Sequence, residues 1–198
     1  MQKLIKTLEE CGYIVHLTQT KEEAFNLSKS IIKSGMSVGL GGSTTVKEIG
    51  LLDDLISRDD ITLFNQYEKG IPMEENTRRR REGMLTDIYV TGTNAITKDG
   101  KLVNADGSGN RVAALIFGPK KVIIVAGTNK IVETEEDGFK RLMDVAAVKN
   151  VDRMNNLAKL NGKEPRHNLD NIANKFTCIK ADEQDRITII LVNEELGY

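Results

Sequence analysis

Short apolar segments alternate with amphipathic segments along most of this sequence, and that alternation constrains the fold more than any other feature. Strand-like runs are predicted at 36–40, 61–64, 87–91 and 121–126, the last with five consecutive apolar residues. Parallel strands need crossover connections, and helices of 10 to 15 residues supply them. The pattern therefore predicts an α/β domain with a doubly wound, mostly parallel sheet. Ligands of such sheets bind at the carboxyl ends of the strands.

The remaining elements follow from helical spacing and from turn residues. Helices are predicted over 1–10, 21–33, 72–85, 111–117 and 134–158, with another that begins at Thr44 or Thr45 and runs through Ile56. A strand is predicted at 13–17, a hairpin with an Asp-Gly turn at 94–104, a polar loop at 159–175, and closing strands at 176–180 and 186–193.

Composition excludes several classes of protein. The 198 residues include 28 Lys+Arg and 29 Asp+Glu, a net charge of −1, which argues against a nucleic-acid-binding role. Cys11 and Cys178 form no metal-binding or redox spacing, so we expect no metal, no cofactor and a reduced, cytoplasmic protein. No apolar run approaches the roughly 20 residues that cross a bilayer, so no membrane association is expected. We expect residues 1–198 to form one domain.

The first candidate site is the glycine-rich turn between the strand at 36–40 and the next helix. Gly41, Gly42, Ser43 and Thr44 offer backbone amides and hydroxyls to an anion such as phosphate or carboxylate. The turn lacks the lysine of a nucleotide-binding P-loop, and Thr44 stands where a dinucleotide fingerprint has its third glycine. A plain strand-to-helix turn with a Ser/Thr cap is the structural alternative.

A second candidate wall follows the strand at 87–91, where small and amide side chains accumulate. We predict ligand contacts from Thr93, Asn94, Asn104, Gly107, Gly109, Asn110 and Arg111, and from Lys130 after the strand at 121–126. Loops of this composition are also ordinary turns. Glu48 and Asp106 are the predicted catalytic acid/base residues, with a capping box as the alternative for Glu48. Asp87 and Lys130 are further acid/base candidates.

The run of four arginines at 78–81 is better explained by a solvated helix face. Glu74 and Glu75 precede Arg78 and Arg79 by four residues, which favours ion pairs along one helix. His16 and His167 have no Ser or Cys partner placed by a motif, and we predict no catalytic role for either.

Taken in order, these motifs resemble the lactate-utilisation, or LUD-domain, family over about residues 10 to 150. The matching segments are Gly39-x-Gly41-Gly42-Ser43-x-Thr45-x-x-Glu48-x-Gly50, 91–97, 100–104 and 106–113. The resemblance implies the Rossmann-like, three-layer α/β fold of ribose-phosphate isomerases, glucosamine-phosphate deaminases and coenzyme A transferases. It also implies a cytoplasmic protein that acts with an iron–sulfur oxidoreductase in the oxidation of L-lactate to pyruvate.

The same resemblance bears on catalysis. Some family members have a cysteine-rich segment near the C-terminus, whereas residues 160–198 contain Cys178 alone, which argues against an iron–sulfur cluster in this chain. The related sugar-phosphate isomerases have an aspartate where this sequence has Asn94, and an amide cannot accept a proton as a carboxylate does. No motif marks the glutamate nucleophile of a coenzyme A transferase.

Three hypotheses remain open. In the first, the protein binds a small anionic metabolite and works with oxidoreductase subunits in lactate oxidation. In the second, it is an autonomous isomerase or acyl-transfer enzyme with Glu48 or Asp106 as base and Arg111 or Lys130 stabilising negative charge. In the third, it is a non-catalytic regulatory or assembly subunit. A homodimer is expected because it is the commonest oligomer.

Overall fold

Helices and strands alternate through the first half of the chain in the computed structural model, which describes residues 1–183 and 185–198. The helices are α1 Gln2–Glu10, α2 Lys21–Ile31, α3 Thr44–Glu48, α4 Leu51–Ser57, α5 Met73–Glu82, α6 Asn110–Phe117, α7 Glu135–Arg141, α8 Val148–Leu160 and α9 Leu169–Ile172. The strands are β1 Ile14–Thr18, β2 Ser37–Leu40, β3 Thr62–Phe64, β4 Ile88–Gly92, β5 Ala95–Thr97, β6 Leu102–Asp106, β7 Lys121–Gly127, β8 Ile131–Val132, β9 Lys175–Ile179 and β10 Ile187–Val192. Short 3₁₀ turns lie at Gly83–Leu85 and Thr128–Lys130, and a π-helical segment, Leu142–Ala147, joins α7 to α8.

Six parallel strands form the central sheet in the order β1-β10-β7-β4-β2-β3. Successive side chains of its strands pack into hydrophobic clusters on opposite faces of the sheet, as the two-residue period of a strand requires. Val90 and Val125 pack with α2, α3 and α4 on one face. Tyr89 and Ile124 pack with α1 and α6 on the other. Helices therefore cover both faces, and the predicted Rossmann-like, three-layer α/β arrangement is confirmed.

A second sheet, in the order β8-β5-β6-β9, extends the domain beside the carboxyl end of β4. Strands β5 and β6 form the predicted antiparallel hairpin, and Gly100 occupies its turn with a φ of +88°. Helix α7 covers this sheet, where Gly138 packs directly on Val103. The two predicted closing strands belong to different sheets. Strand β9 pairs in this second sheet, while β10 lies between β1 and β7 of the first.

Several predicted elements differ in detail. The helix predicted from Thr44 through Ile56 is broken at Gly50, whose φ of +81° separates α3 from α4. The helix predicted over 134–158 contains the π segment, and α9 lies inside the predicted polar loop. In α5, Glu75 rather than Glu74 accepts from both Arg78 and Arg79. None of the helices in the described ranges has the length and hydropathy needed to span a bilayer.

Candidate functional site

Two of the predicted motifs meet at the carboxyl edge of the central sheet. A Cβ atom on Gly92, at the end of β4, would lie 2.6 Å from the Ser43 hydroxyl oxygen, and one on Gly41 would lie 2.3 Å from Oγ1 of Thr91. Only glycine permits approaches this close. The glycines at 41 and 92 therefore bring the turn after β2 against the end of β4.

The turn after β2 begins helix α3 with a different cap from the one predicted. Ser43, rather than Thr44 or Thr45, is the N-cap, and its Oγ accepts a hydrogen bond from the Val46 amide at 3.2 Å. Helix α3 has five residues, so its dipole is short. Gly42 faces open space, with the Tyr67 hydroxyl 3.9 Å from its built Cβ. The attraction for an anion must therefore come mainly from side chains.

Asn94, Asp106 and Arg111 form a hydrogen-bonded group between β4, β6 and α6. Asn94 Oδ1 accepts from Arg111 Nη2 at 2.7 Å and from the Ala105 amide at 3.1 Å. Asp106 Oδ1 accepts from Arg111 Nε at 2.9 Å, while its Oδ2 accepts from the Val112 amide at 2.8 Å. Both carboxylate oxygens are engaged. Asp106, predicted as a catalytic base, therefore holds the first turn of α6 and positions Arg111.

Lys130 lies beneath this edge, in the turn after β7, with 3% of its surface exposed. Its Nζ donates to Thr45 Oγ1 at 2.8 Å. Burial first, and then the positive charges of Arg141 and Arg111, lower the pKa of Lys130 from 10.5 to about 7, with Glu48 acting in the opposite direction. These surroundings therefore favour the unprotonated amine more than the surroundings of an exposed lysine do.

Arg141, at the end of α7, completes the group of cations. Its Nε donates to the Asn129 carbonyl at 2.8 Å and its Nη1 to the Asn94 carbonyl at 2.5 Å. Burial lowers the pKa of this guanidinium as well. Within residues 1–183 and 185–198, no carboxylate oxygen lies within 4.0 Å of a charged nitrogen of either Lys130 or Arg141. These two cations have no acidic partner.

Glu48, the other predicted catalytic residue, contacts the C-terminal segment, residues 193–198. Its Oε2 accepts from the Gly197 amide at 2.6 Å, so it forms no capping box. Asn129 binds the same segment, accepting from the Leu196 amide at 3.1 Å and donating to the Gly197 carbonyl at 3.2 Å. Glu48 thus anchors the C-terminal segment through one carboxylate oxygen, and its side chain is exposed.

The other predicted ligand contacts also make contacts within the protein around this edge. Thr93 is buried and donates to the Ala95 carbonyl. Asn104 is fully buried and accepts from the Asn94 amide at 3.3 Å, while its Nδ2 has no partner in the described ranges. Gly107 and Gly109 pack against Asn171 and Lys175. Asn110 bonds Ser108 and lies 3.5 Å from the Tyr89 hydroxyl.

Three residues of the site were missed by sequence reasoning. Tyr67 donates to the Gly41 carbonyl at 3.0 Å, and nothing in its surroundings in sequence marks it. Arg141 falls in a helix that the sequence presents as ordinary, although the π segment that follows it is a feature common near functional sites. Asn129 precedes Lys130 at a strand end, and that position was the available signal.

The opposite, amino-terminal edge of the sheet has different chemistry. Asp87, a further acid/base candidate, is exposed there and accepts from the Ser37 hydroxyl at 2.6 Å. A cleft of about 310 Å³ is lined by residues 116–121 and by Asp182, Glu183, Asp185 and Arg186, where Arg186 pairs with Asp182. A larger, shallow cleft of about 700 Å³ follows α5, whose Arg78 pairs with Glu75 and Glu82. Arg186 and Arg78 in these clefts are already paired with carboxylates, unlike Lys130 and Arg141.

Comparison with known proteins places the chain in a family. The LUD domain model matches residues 1–192. No protein with curated annotation matches the sequence significantly. Among solved structures, a DUF162 family protein from Deinococcus radiodurans is similar, with 13% sequence identity, a TM-score of 0.55, and coverage of 96% of this chain and 94% of that chain. At this identity the likeness is one of fold.

Proposed function

The chain belongs to the LUD-domain family, and from that premise we propose that it binds a small carboxylate-bearing metabolite at the carboxyl edge of its sheet. The ligand contacts are Lys130, Arg111 and Arg141. In this proposal the protein serves lactate utilisation together with an iron–sulfur oxidoreductase that carries the electrons. The pathway and the partner rest on family membership, and co-purification of the chain with iron–sulfur subunits is the experiment that tests them.

The single observation that supports this binding site is the pair of cations without an acidic partner. A buried charge costs several kcal/mol unless it is paired. Lys130 is 3% exposed, Arg141 is partly buried, and Arg141 is close enough for its positive charge to lower the pKa of Lys130. A carboxylate between them supplies the missing counter-charge. Arg111 adds a third cation, although Asp106 already balances it.

Free donor atoms support the same ligand. Arg111 uses Nε and Nη2, and Arg141 uses Nε and Nη1, in bonds to other groups. Arg111 Nη1 and Arg141 Nη2 form no hydrogen bond in the described part of the chain. Neither belongs to the fully buried polar atoms that lack a partner. Each guanidinium thus keeps a terminal N–H group available, and guanidinium forks match carboxylates.

Binding is favoured over isomerase or acyl-transfer catalysis chiefly by the engagement of Asp106. Asn94 is an amide, Asp106 has both oxygens bonded, and Glu48 holds the C-terminal segment. A regulatory or assembly subunit would use the same anion site without turnover, so it remains compatible with this proposal.

A thermal-shift titration of the purified chain with L-lactate and pyruvate tests the binding proposal. A ligand at 100 times its dissociation constant stabilises the fold by about 2.7 kcal/mol, and each kcal/mol raises the melting temperature by about 2–4 °C at this size. Arg141→Met should remove most of that shift because it deletes the unpaired guanidinium. The matched control, Arg81→Met, changes an exposed arginine of α5 and should respond like the wild type.

Two results would contradict the proposal. One is the absence of any shift of the wild-type protein with either carboxylate. The other is an equal shift in the Arg141→Met and Arg81→Met variants, because binding would then not depend on the carboxyl edge.

A further inference from the structure

The amine of Lys130 has a combination of features that anion binding alone does not use. It is a primary amine with 3% exposure, and its one hydrogen-bond partner in the described part of the chain is the Thr45 hydroxyl. Arg141 and Arg111 supply positive charge nearby. Burial and neighbouring cations are the two conditions that keep a lysine partly unprotonated, and an unprotonated amine is a nucleophile.

Resting on the proposed function, we propose that Lys130 captures the carbonyl carbon of a 2-oxo carboxylate as an imine. The ligand class is set by two neighbouring groups. The guanidiniums bind the carboxylate of the ligand. The amine reacts with the carbonyl carbon that is bonded directly to this carboxylate.

The backbone geometry places these groups next to each other. Arg111 and Arg141 converge on Asn94, one at its side-chain oxygen (2.7 Å) and one at its carbonyl oxygen (2.5 Å). Arg141 also binds the carbonyl of Asn129, the residue before Lys130, at 2.8 Å. Both guanidiniums therefore contact the stretch that follows β4, and Arg141 also contacts the residue that precedes Lys130. A 2-oxo acid has its carbonyl one bond from its carboxylate, so it offers one group to the guanidiniums and one to the amine.

The reaction is balanced without any further reactant. The Nζ lone pair forms a bond to the carbonyl carbon, the carbonyl π electrons move to oxygen, and that oxygen takes a proton from the nitrogen. The carbon–oxygen bond of this adduct then breaks, the oxygen leaves as water with a second proton from the nitrogen, and a carbon–nitrogen double bond remains. Thr45 Oγ1, at 2.8 Å from Nζ, is positioned to relay these protons.

The test is reductive trapping of the wild-type chain with pyruvate and cyanoborohydride, followed by intact mass and peptide mapping. We expect one N-(1-carboxyethyl) group per chain, located on Lys130. Lys130→Arg should lose the label, and the matched control Lys149→Arg, at an exposed position of α8, should keep it. Propanone, which has a carbonyl but no carboxylate, should leave Lys130 unlabelled.

The outcomes separate this inference from the proposed function. If pyruvate and L-lactate both raise the melting temperature but no label forms on Lys130, the imine is excluded and the anion site stands. Label spread evenly over exposed lysines also overturns the imine. If neither compound stabilises the fold and no label forms, both the proposed site and the imine are wrong.

Discussion

At the scale of single residues, the protonation state of Lys130 connects folding to function. A lysine buried beside two guanidiniums destabilises the empty fold when it carries its proton. An anion that supplies counter-charge reverses this penalty. The cost of keeping Lys130 in place is thus a measurable property of the unliganded protein.

The pH dependence of stability should reveal that cost. The pKa of Lys130 is about 7 in the folded chain and has its ordinary value of 10.5 in the unfolded chain. Between these values the unfolded state binds more protons, so this lysine makes the free energy of unfolding rise with pH, by at most about 1.4 kcal/mol per pH unit. Lys130→Met removes the contribution. Urea unfolding at pH 7, 8 and 9 should show the wild type gaining stability relative to this variant.

The comparison needs a lysine outside the site. Lys149→Met, on the exposed side of α8, should give a difference from wild type that does not change with pH. A flat difference for Lys130→Met as well would mean that Lys130 is not held in a desolvated, cationic environment.

Residue-level reading of the sequence identified part of the site. Lys130 and Arg111 could be selected because they follow a strand end and a glycine-rich loop. The partners that set their chemistry are far away in sequence, as Thr45 is from Lys130 and Asn94 is from Arg141. Single-sequence patterns carry no record of such pairs, so the contact of Glu48 with Gly197 was not foreseeable either.

At the scale of elements, helix α6 shows how one carboxylate organises a site. Asp106 accepts from the Val112 amide of its first turn and from the guanidinium of Arg111. A residue predicted to do acid/base chemistry thus fixes the direction in which Arg111 points. The N-cap position itself is Gly109, which has a φ of +87° and no side chain to offer.

Removal of the Asp106 carboxylate should therefore lower the free energy of unfolding even when no ligand is present. Asp106→Ala deletes the cap and leaves the buried Arg111 unpaired, which should cost about 3 kcal/mol. Asp106→Asn keeps an acceptor for the amide, so its loss should be smaller. Urea unfolding measures both, with the exposed Asp144→Ala as control, expected within about 0.5 kcal/mol of wild type. Equal stability of Asp106→Ala and wild type would contradict this role.

Element boundaries could be predicted where one physical rule dominates. The buried strands β4 and β7 follow from apolar runs, and the hairpin follows from its Asp-Gly turn. The break between α3 and α4 was missed because helical spacing continues through Gly50, and only its positive φ ends the helix. Helix α9 was missed because it has four residues and is capped by Asn168 in a polar stretch.

At the scale of the whole molecule, sheet order assembles the site. Strand β4 lies between β2 and β7, so the turns that contain Ser43, Asn94 and Lys130 end at one edge. The second sheet then brings α7, and with it Arg141, over the same edge. Strand alternation predicts a parallel sheet but not the order of its strands. The insertion of β10 between β1 and β7 depends on packing across nearly the full length of the chain.

The central claim is that a carboxylate binds at the carboxyl edge of the sheet, and side-chain NMR tests it most directly. In ¹⁵N-labelled protein titrated with L-lactate, and separately with pyruvate, the Nε–H resonances of Arg111 and Arg141 should shift together and saturate. Arg186, which lines the cleft at the opposite edge and pairs with Asp182, should not respond. A saturable shift of Arg186 with Arg111 and Arg141 unchanged would place the ligand elsewhere and contradict the account.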